Sequence, residues 1–106
     1  MNSKRKGSRG ENELASILRD AGIEACRNDQ MYIGGKGKPD VSAEVWGIPL
    51  HIEVKRVERL NVPEAVKQAI RDAENGALPV VAHRRNREQW LVTMPLADVL
   101  NLIRGG

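Results

Sequence analysis

Residues 39–55 read PDVSAEVWGIPLHIEVK, and this stretch decides the fold. Apolar and polar residues alternate on both sides of a break at Gly47-Ile48-Pro49. Because successive side chains of a β-strand point to opposite faces, Leu50, Ile52 and Val54 share one face and can enter a core. The pattern therefore predicts two strands joined by a turn, with one apolar face and one polar face.

The polar face of the second strand carries charged groups that can do chemistry. His51, Glu53 and Lys55 share that face. If the two strands pair as a hairpin, Asp40 returns to a position near Glu53, and two carboxylates and a lysine converge on one patch. The alternative is a cross-strand ion pair on a solvated face, which is worth less than about 1 kcal/mol.

Two carboxylates beside a lysine suit the metal-assisted cleavage of a phosphodiester. Magnesium prefers oxygen ligands and is often held by one or two carboxylates, with water and substrate phosphate completing its shell. The ion lowers the pKa of bound water and neutralises charge that develops on the phosphate, and a nearby lysine can position the water. We therefore expect a Mg2+ site here, with Mn2+ as the alternative ion.

The spacing of Pro39-Asp40 from Glu53-Val54-Lys55 resembles the signature of the PD-(D/E)xK nuclease superfamily. The segment RKGSRGENEL at residues 5–14 resembles the amino terminus of archaeal-type Holliday-junction resolvases, in which a basic segment leads into a helix whose early glutamate joins the metal site. Virus-type replication-repair nuclease domains share these parts. The resemblance covers nearly the whole chain and implies a restriction-endonuclease-like α/β sandwich.

The resemblance also implies a role for each matching residue. Asp40, Glu53 and Glu11 are the expected metal ligands, and Lys55 is expected to position the attacking water. The alternative for Glu11 is a capping box with Ser8, three residues earlier, which would satisfy the carboxylate through the backbone.

The rest of the chain alternates between helical and strand patterns, which predicts the order αβββαββα and a mixed five-stranded sheet flanked by helices. The predicted helices are Ser8–Ala21, Val62–Asn75 and Leu96–Ile103, and the predicted strands are Ile23–Arg27, Asp40–Trp46, Leu50–Val57, Leu78–His83 and Glu88–Met94. All 106 residues are expected to form one nuclease domain, with residues 1–9 as a mobile basic arm.

Two side-chain placements follow from the helical period. Gln68 lies beside the apolar stripe of the second helix, where several branches of the superfamily carry a glutamine near the catalytic lysine; the alternative is a surface glutamine. In the last helix, the expected buried residues are Leu96, Val99, Leu100 and Ile103.

The net charge of +3 and the pI of about 9.4 are only mildly basic, but the cations are clustered. Clustered cations neutralise phosphates and give sequence-independent affinity for nucleic acid, although one cluster alone would more often be a solubilising surface. The predicted DNA contacts form three groups along the chain. They are Arg5, Lys6, Ser8 and Arg9, then Lys36 and Lys38, and then Arg84, Arg85 and Arg87.

Several classes of protein are disfavoured by the composition. No apolar run approaches a membrane span, so we expect a cytoplasmic protein without membrane contact. Cys26 is the only cysteine, which leaves no pair for an intrachain disulfide. Few aromatic residues argue against a stacking platform for single strands.

The function expected from these patterns is a magnesium-dependent, structure-selective DNA endonuclease. The most specific expectation is a Holliday-junction resolvase that acts as a homodimer on branched DNA, because a symmetric four-way junction needs two paired nicks. The alternatives are a virus-type replication-repair nuclease with nicking, flap or end-processing activity, and a non-catalytic DNA-binding module of the same fold.

Overall fold

The computed structural model describes residues 3–27, 38–74 and 76–105, and for residues 3–8 it describes the backbone alone. The elements follow the predicted order αβββαββα. They are α1 (Ser3–Asp20), β1 (Glu24–Arg27), β2 (Val41–Val45), β3 (Ile48–Lys55), α2 (Val62–Asp72), β4 (Leu78–His83), β5 (Leu91–Thr93) and α3 (Leu96–Ile103). Apart from the start of α1, each bound lies within three residues of its prediction.

The five strands form one mixed sheet in the order β1-β2-β3-β4-β5, as predicted. Strands β3 and β4 are parallel and all other neighbours are antiparallel. A parallel pair needs a long crossover connection, and α2 provides it. Because β3 and β4 run in the same direction, Lys55 and His83 lie side by side where both strands end.

The β2–β3 hairpin closes on a two-residue loop, Trp46-Gly47, between the paired residues Val45 and Ile48. Both loop residues have positive φ, 56° and 76°, which is the requirement of the hairpin turn whose twist matches its strands. Pro49 therefore lies inside β3, where the prediction had placed it in the break. It is tolerated there because pairing with β4 starts only at Leu50.

Each face of the sheet packs against a different helix. The larger core lies under α1 and is built from Leu14, Ala15, Val41, Ala43, Ile52, Val80 and Ala82. The smaller core lies under α2 and contains Ala65, Ala69 and Val81. Since Ile52 belongs to the first core, the alternating residues His51, Glu53 and Lys55 lie on the α2 side, as the period of the strand predicted.

Helix α1 begins at Ser3, earlier than the predicted start at Ser8, so the backbone of residues 3–9 is helical. Lysine and arginine are good helix formers, and Gly7 in this segment and Gly10 just after it cost only about 1 kcal/mol each. Gly10 faces β3, where a Cβ at this position would lie at ordinary contact distance, 3.4 Å from Arg56 Cβ and 3.5 Å from Val54 Cγ1. The helix approaches β3 closely across it.

Helix α3 is less covered than predicted. None of its residues is buried, and Leu96, Leu100 and Ile103 are 71%, 46% and 74% exposed. Residues 98, 99, 101 and 102 form its half-buried side. The predicted burial of the apolar stripe was therefore wrong, because period identifies the residues that share a face but not whether anything covers that face.

Among the described helices, none has the length and apolar character needed to cross a membrane.

Candidate active site

Asp40 is fixed against β3 by two hydrogen bonds just before β2 begins. Its backbone N–H donates to the carbonyl of Ile52 at 2.9 Å, and its Oδ2 accepts from the backbone N–H of Val54 at 2.8 Å. The hairpin thus returns Asp40 to the strand that carries Glu53 and Lys55, which is the arrangement the sequence predicted.

Burial raises the pKa of Asp40 from 3.8 to about 6. The neighbouring carboxylates of Glu53 and Glu11 contribute to this rise, while the hydrogen bond from Val54 and the charge of Lys55 oppose it. A carboxyl group with a strongly displaced pKa beside a specific set of charges is a common feature of functional sites. The charges of Glu53, Glu11 and Lys55 therefore all act on Asp40.

Glu53 is buried on the α2 side of the sheet, where only 4% of it is exposed. Its Oε2 lies 2.7 Å from Nε2 of His51, which is also buried and 3% exposed. The sequence had placed the two residues on one face of β3, but nothing in it indicated that they would pair. A buried carboxylate needs such a donor to offset the loss of water.

Lys55 is held from the other side by helix α2. Its Nζ donates to Oε1 of Gln68 at 3.3 Å. The start of α2 is fixed by Asn61, whose side chain caps the N–H of Glu64 at 3.2 Å. The structure therefore brings the predicted glutamine beside the predicted lysine, rather than leaving it on the open surface.

Glu11 lies at the edge of this group. Because α1 begins at Ser3, Ser8 is inside the helix, and the capping-box alternative for Glu11 is removed. Its Oε1 lies 3.3 Å from Nε of Arg27 on β1. Across residues 3–27, 38–74 and 76–105, no three His, Cys, Asp or Glu side chains are gathered closely enough to hold an ion together.

A magnesium ion nevertheless fits the donor set of this site. The carboxylates of Asp40 and Glu53 supply hard oxygen donors, and Mg2+ is commonly bound by one or two carboxylates with several waters. Burial, with a smaller contribution from the carboxylates of Glu53 and Glu11, raises the pKa of Asp40, and a divalent cation would favour its ionised form.

The predicted DNA contacts are placed unevenly. The side chains of Arg5, Lys6 and Ser8, and all of Lys36, lie outside the described residues, whereas Arg9, Lys38, Arg85 and Arg87 are exposed.

Arg84 is engaged within the fold. Its Nε lies 3.2 Å from Glu13 Oε1, and its Nη1 donates to the carbonyl of Glu88 at 2.9 Å. The Nε–H makes no hydrogen bond, so the contact with Glu13 is an ion pair. The guanidinium also stacks 6.0 Å from the ring of Trp90. Arg84 therefore differs from Arg85 and Arg87, which are exposed in the same turn.

Comparison with known proteins agrees with this geometry. The family model described as "Phage putative PDDEXK endonuclease" matches residues 2–105. The solved structure of Hjc from Archaeoglobus fulgidus, a Holliday junction resolvase from an archaeal hyperthermophile, is similar with a TM-score of 0.62 and 29% sequence identity. The similarity covers 82% of this chain and 75% of that one. No curated protein sequence matches the chain. Since the family model spans nearly all residues, the chain belongs to this PDDEXK endonuclease family and is a nuclease of the PD-(D/E)xK type.

Proposed function

We propose that the chain is a magnesium-dependent, structure-selective DNA endonuclease whose preferred substrate is the Holliday junction. The observation that carries the proposal is the docking of Asp40 on β3 through Val54, beside Glu53 and Lys55 of the same strand. The likeness to an archaeal resolvase supports the choice of a four-way junction among possible DNA substrates.

In the proposed reaction, Asp40 and Glu53 would hold the ion, and Glu11, whose carboxylate pairs with Arg27, would support the site from its edge. When bound, the ion would lower the pKa of water and neutralise charge on the phosphate that is cut. Lys55 orients the attacking water by hydrogen bonding, and Gln68 keeps the ammonium of Lys55 in place by accepting a hydrogen bond from it.

DNA affinity is expected to come from exposed cations on several elements. Arg9 on α1, Lys38 before β2, and Arg85 and Arg87 in the turn before β5 are all exposed. Each phosphate that they neutralise releases counterions and makes affinity depend on salt. Arg84 is expected to support the turn rather than to contact DNA, because Glu13 and Trp90 already engage it.

A homodimer is part of the proposal, because two symmetric nicks need two sites. The exposed leucines and isoleucine of α3 support it. Full burial of one such side chain corresponds to roughly 60–120 Å2. The three partly exposed side chains of α3 therefore offer on the order of 200 Å2, a part of the apolar area of a small interface. An eight-residue helix is also too short to be stable in water without packing.

The test is an incubation of the pure protein with four-way junction, flap, duplex and single-stranded DNA, with and without Mg2+. We expect paired nicks in the junction, only with the ion, and none with Asp40→Asn. Equal cutting of duplex and junction would contradict junction selectivity, and Mg2+-independent cutting would contradict the metal assignment.

A second candidate is a phage-type nuclease with flap, nicking or end-processing activity. The match to a phage endonuclease family favours it. The same panel separates the two, because this candidate cuts flaps or ends at least as well as junctions. A non-catalytic DNA-binding module is disfavoured by the assembled Asp40, Glu53 and Lys55.

A further inference from the structure

His51, which pairs with Glu53, has no role in the chemistry proposed above. Both residues are almost fully buried, and Nε2 and Oε2 are only 2.7 Å apart. They are two residues apart on β3, and so they stand side by side on the α2 face of the central strand. No other described histidine contacts a carboxylate; His83, on the neighbouring strand, bonds the hydroxyl of Thr93 at 3.0 Å.

The hydrogen in this contact belongs to the imidazole. An ionised carboxylate has only acceptors, so Nε2–H of His51 donates to Oε2 of Glu53. The bond uses one lone pair and leaves the others of the carboxylate available to an ion. A buried imidazole ring has little rotational freedom, and it therefore fixes the carboxylate to which it donates.

We propose that His51 is a positioning residue that orients the carboxylate of Glu53 toward a divalent cation shared with Asp40. This inference rests on the proposed function, since it requires Glu53 to be a metal ligand. Groups that hydrogen-bond a metal ligand set its orientation, and their loss typically weakens metal affinity by 10–100-fold. The coupling between Asp40 and Glu53 supports the assignment, because it places the oriented carboxylate in the field of the second ligand.

The test compares Mn2+ binding, measured by electron paramagnetic resonance without DNA, in the unchanged protein and in three variants. His51→Phe fills the space without a donor and is expected to bind Mn2+ about 10–100-fold more weakly. His51→Gln keeps an N–H donor of similar reach and is expected to restore affinity to within a few-fold. Thr93→Val is the matched control, because it deletes the hydrogen bond of the other histidine and is expected to leave affinity unchanged.

Cleavage as a function of Mg2+ concentration gives a second readout. A positioning role predicts that His51→Phe needs more Mg2+ for half-maximal cleavage but approaches the unchanged rate when the ion saturates. If the phenylalanine variant does not fold, His51→Asn takes its place, because its amide is too short to reach the carboxylate.

Two results would count against the assignment in different ways. A folded His51→Phe or His51→Asn that binds Mn2+ as tightly as the unchanged protein would overturn the role of His51 alone. Failure of the unchanged protein to bind Mn2+ in a manner that depends on Asp40 would overturn the proposed function, and this assignment with it.

Discussion

Asp40 is the residue on which the site depends, because it joins the start of β2 to the centre of β3. In Asp40→Asn the amide oxygen can still accept from Val54, so the local fold is expected to persist while the charge that an ion needs is lost. We expect cleavage to fall below detection and junction binding to remain, since less negative charge then faces the phosphates. Gel-shift and cleavage assays on one preparation measure both effects.

The raised pKa of Asp40 predicts that the effect of Asp40→Asn on stability depends on pH. The pKa of Asp40 in the folded protein, about 6, lies above its ordinary value of 3.8, so the folded state binds this proton more tightly. Ionisation of Asp40 therefore opposes folding. The stability that the protonated carboxyl contributes is fully present below about pH 4 and is lost as the pH rises through 6. In metal-free buffer at pH 7, the free energy of unfolding of Asp40→Asn should exceed that of the unchanged protein by about 1–2 kcal/mol. Below pH 4 this difference should vanish.

Urea unfolding between pH 3.5 and 8 checks this dependence. Asp20→Asn, at an exposed acid that ends α1, serves as the control and should follow the unchanged protein over the whole range. An Asp40→Asn curve that runs parallel to the unchanged one would contradict the raised pKa.

Glu11 tests how far the site extends. With the capping box removed, Glu11→Gln should slow cleavage strongly but lower the free energy of unfolding by no more than about 1 kcal/mol, the usual value of a partly exposed ion pair such as that with Arg27. Glu13→Gln is a matched control on the same helix, since it weakens the pair with Arg84 away from the metal ligands. Melting temperature and cleavage rate are measured on each sample. Unchanged cleavage in Glu11→Gln would exclude Glu11 from the site.

At the scale of elements, Gly10 governs how closely α1 approaches β3. Alanine places a Cβ at ordinary contact distance from Arg56 and Val54 and improves helix propensity by about 1 kcal/mol, so Gly10→Ala should be neutral or slightly stabilising. Gly10→Leu needs room that β3 does not leave and should destabilise by about 1–3 kcal/mol. Thermal unfolding of the two variants checks the sign, and equal stability would mean that the two elements are not in close contact here.

The elements also mark what could be predicted from the sequence. The alternation of residues 50–55 fixed the face on which Glu53 and Lys55 lie, and the hairpin followed from the same stretch. The start of α1 was missed because a basic, glycine-containing segment is compatible with both a helix and an arm, and the packing of Gly10 against β3 is a tertiary contact. The burial of His51 beside Glu53 depends on α2 covering that face, which no local pattern reports.

At the scale of the whole molecule, α3 presents its most apolar side to solvent, and a second copy of the chain is the partner proposed for it. An interface of this kind should fail when a charge enters its centre, so Leu100→Glu is expected to sediment as a monomer while the unchanged chain sediments as a dimer. Ile17→Glu is a matched control, because Ile17 on α1 has the same 46% exposure as Leu100. It should remain dimeric.

The consequence for cleavage distinguishes assembly from chemistry. Each monomer of Leu100→Glu retains Asp40, Glu53 and Lys55, so isolated nicks should persist, while paired nicks within one junction should become rare. A supercoiled cruciform plasmid reports this directly, since coordinated nicking yields linear product and independent nicking yields open circles first. A dimeric Leu100→Glu would place the interface elsewhere. Linear product from a monomeric Leu100→Glu would mean that paired nicking does not need the α3 interface, because two sites would then still act together without it.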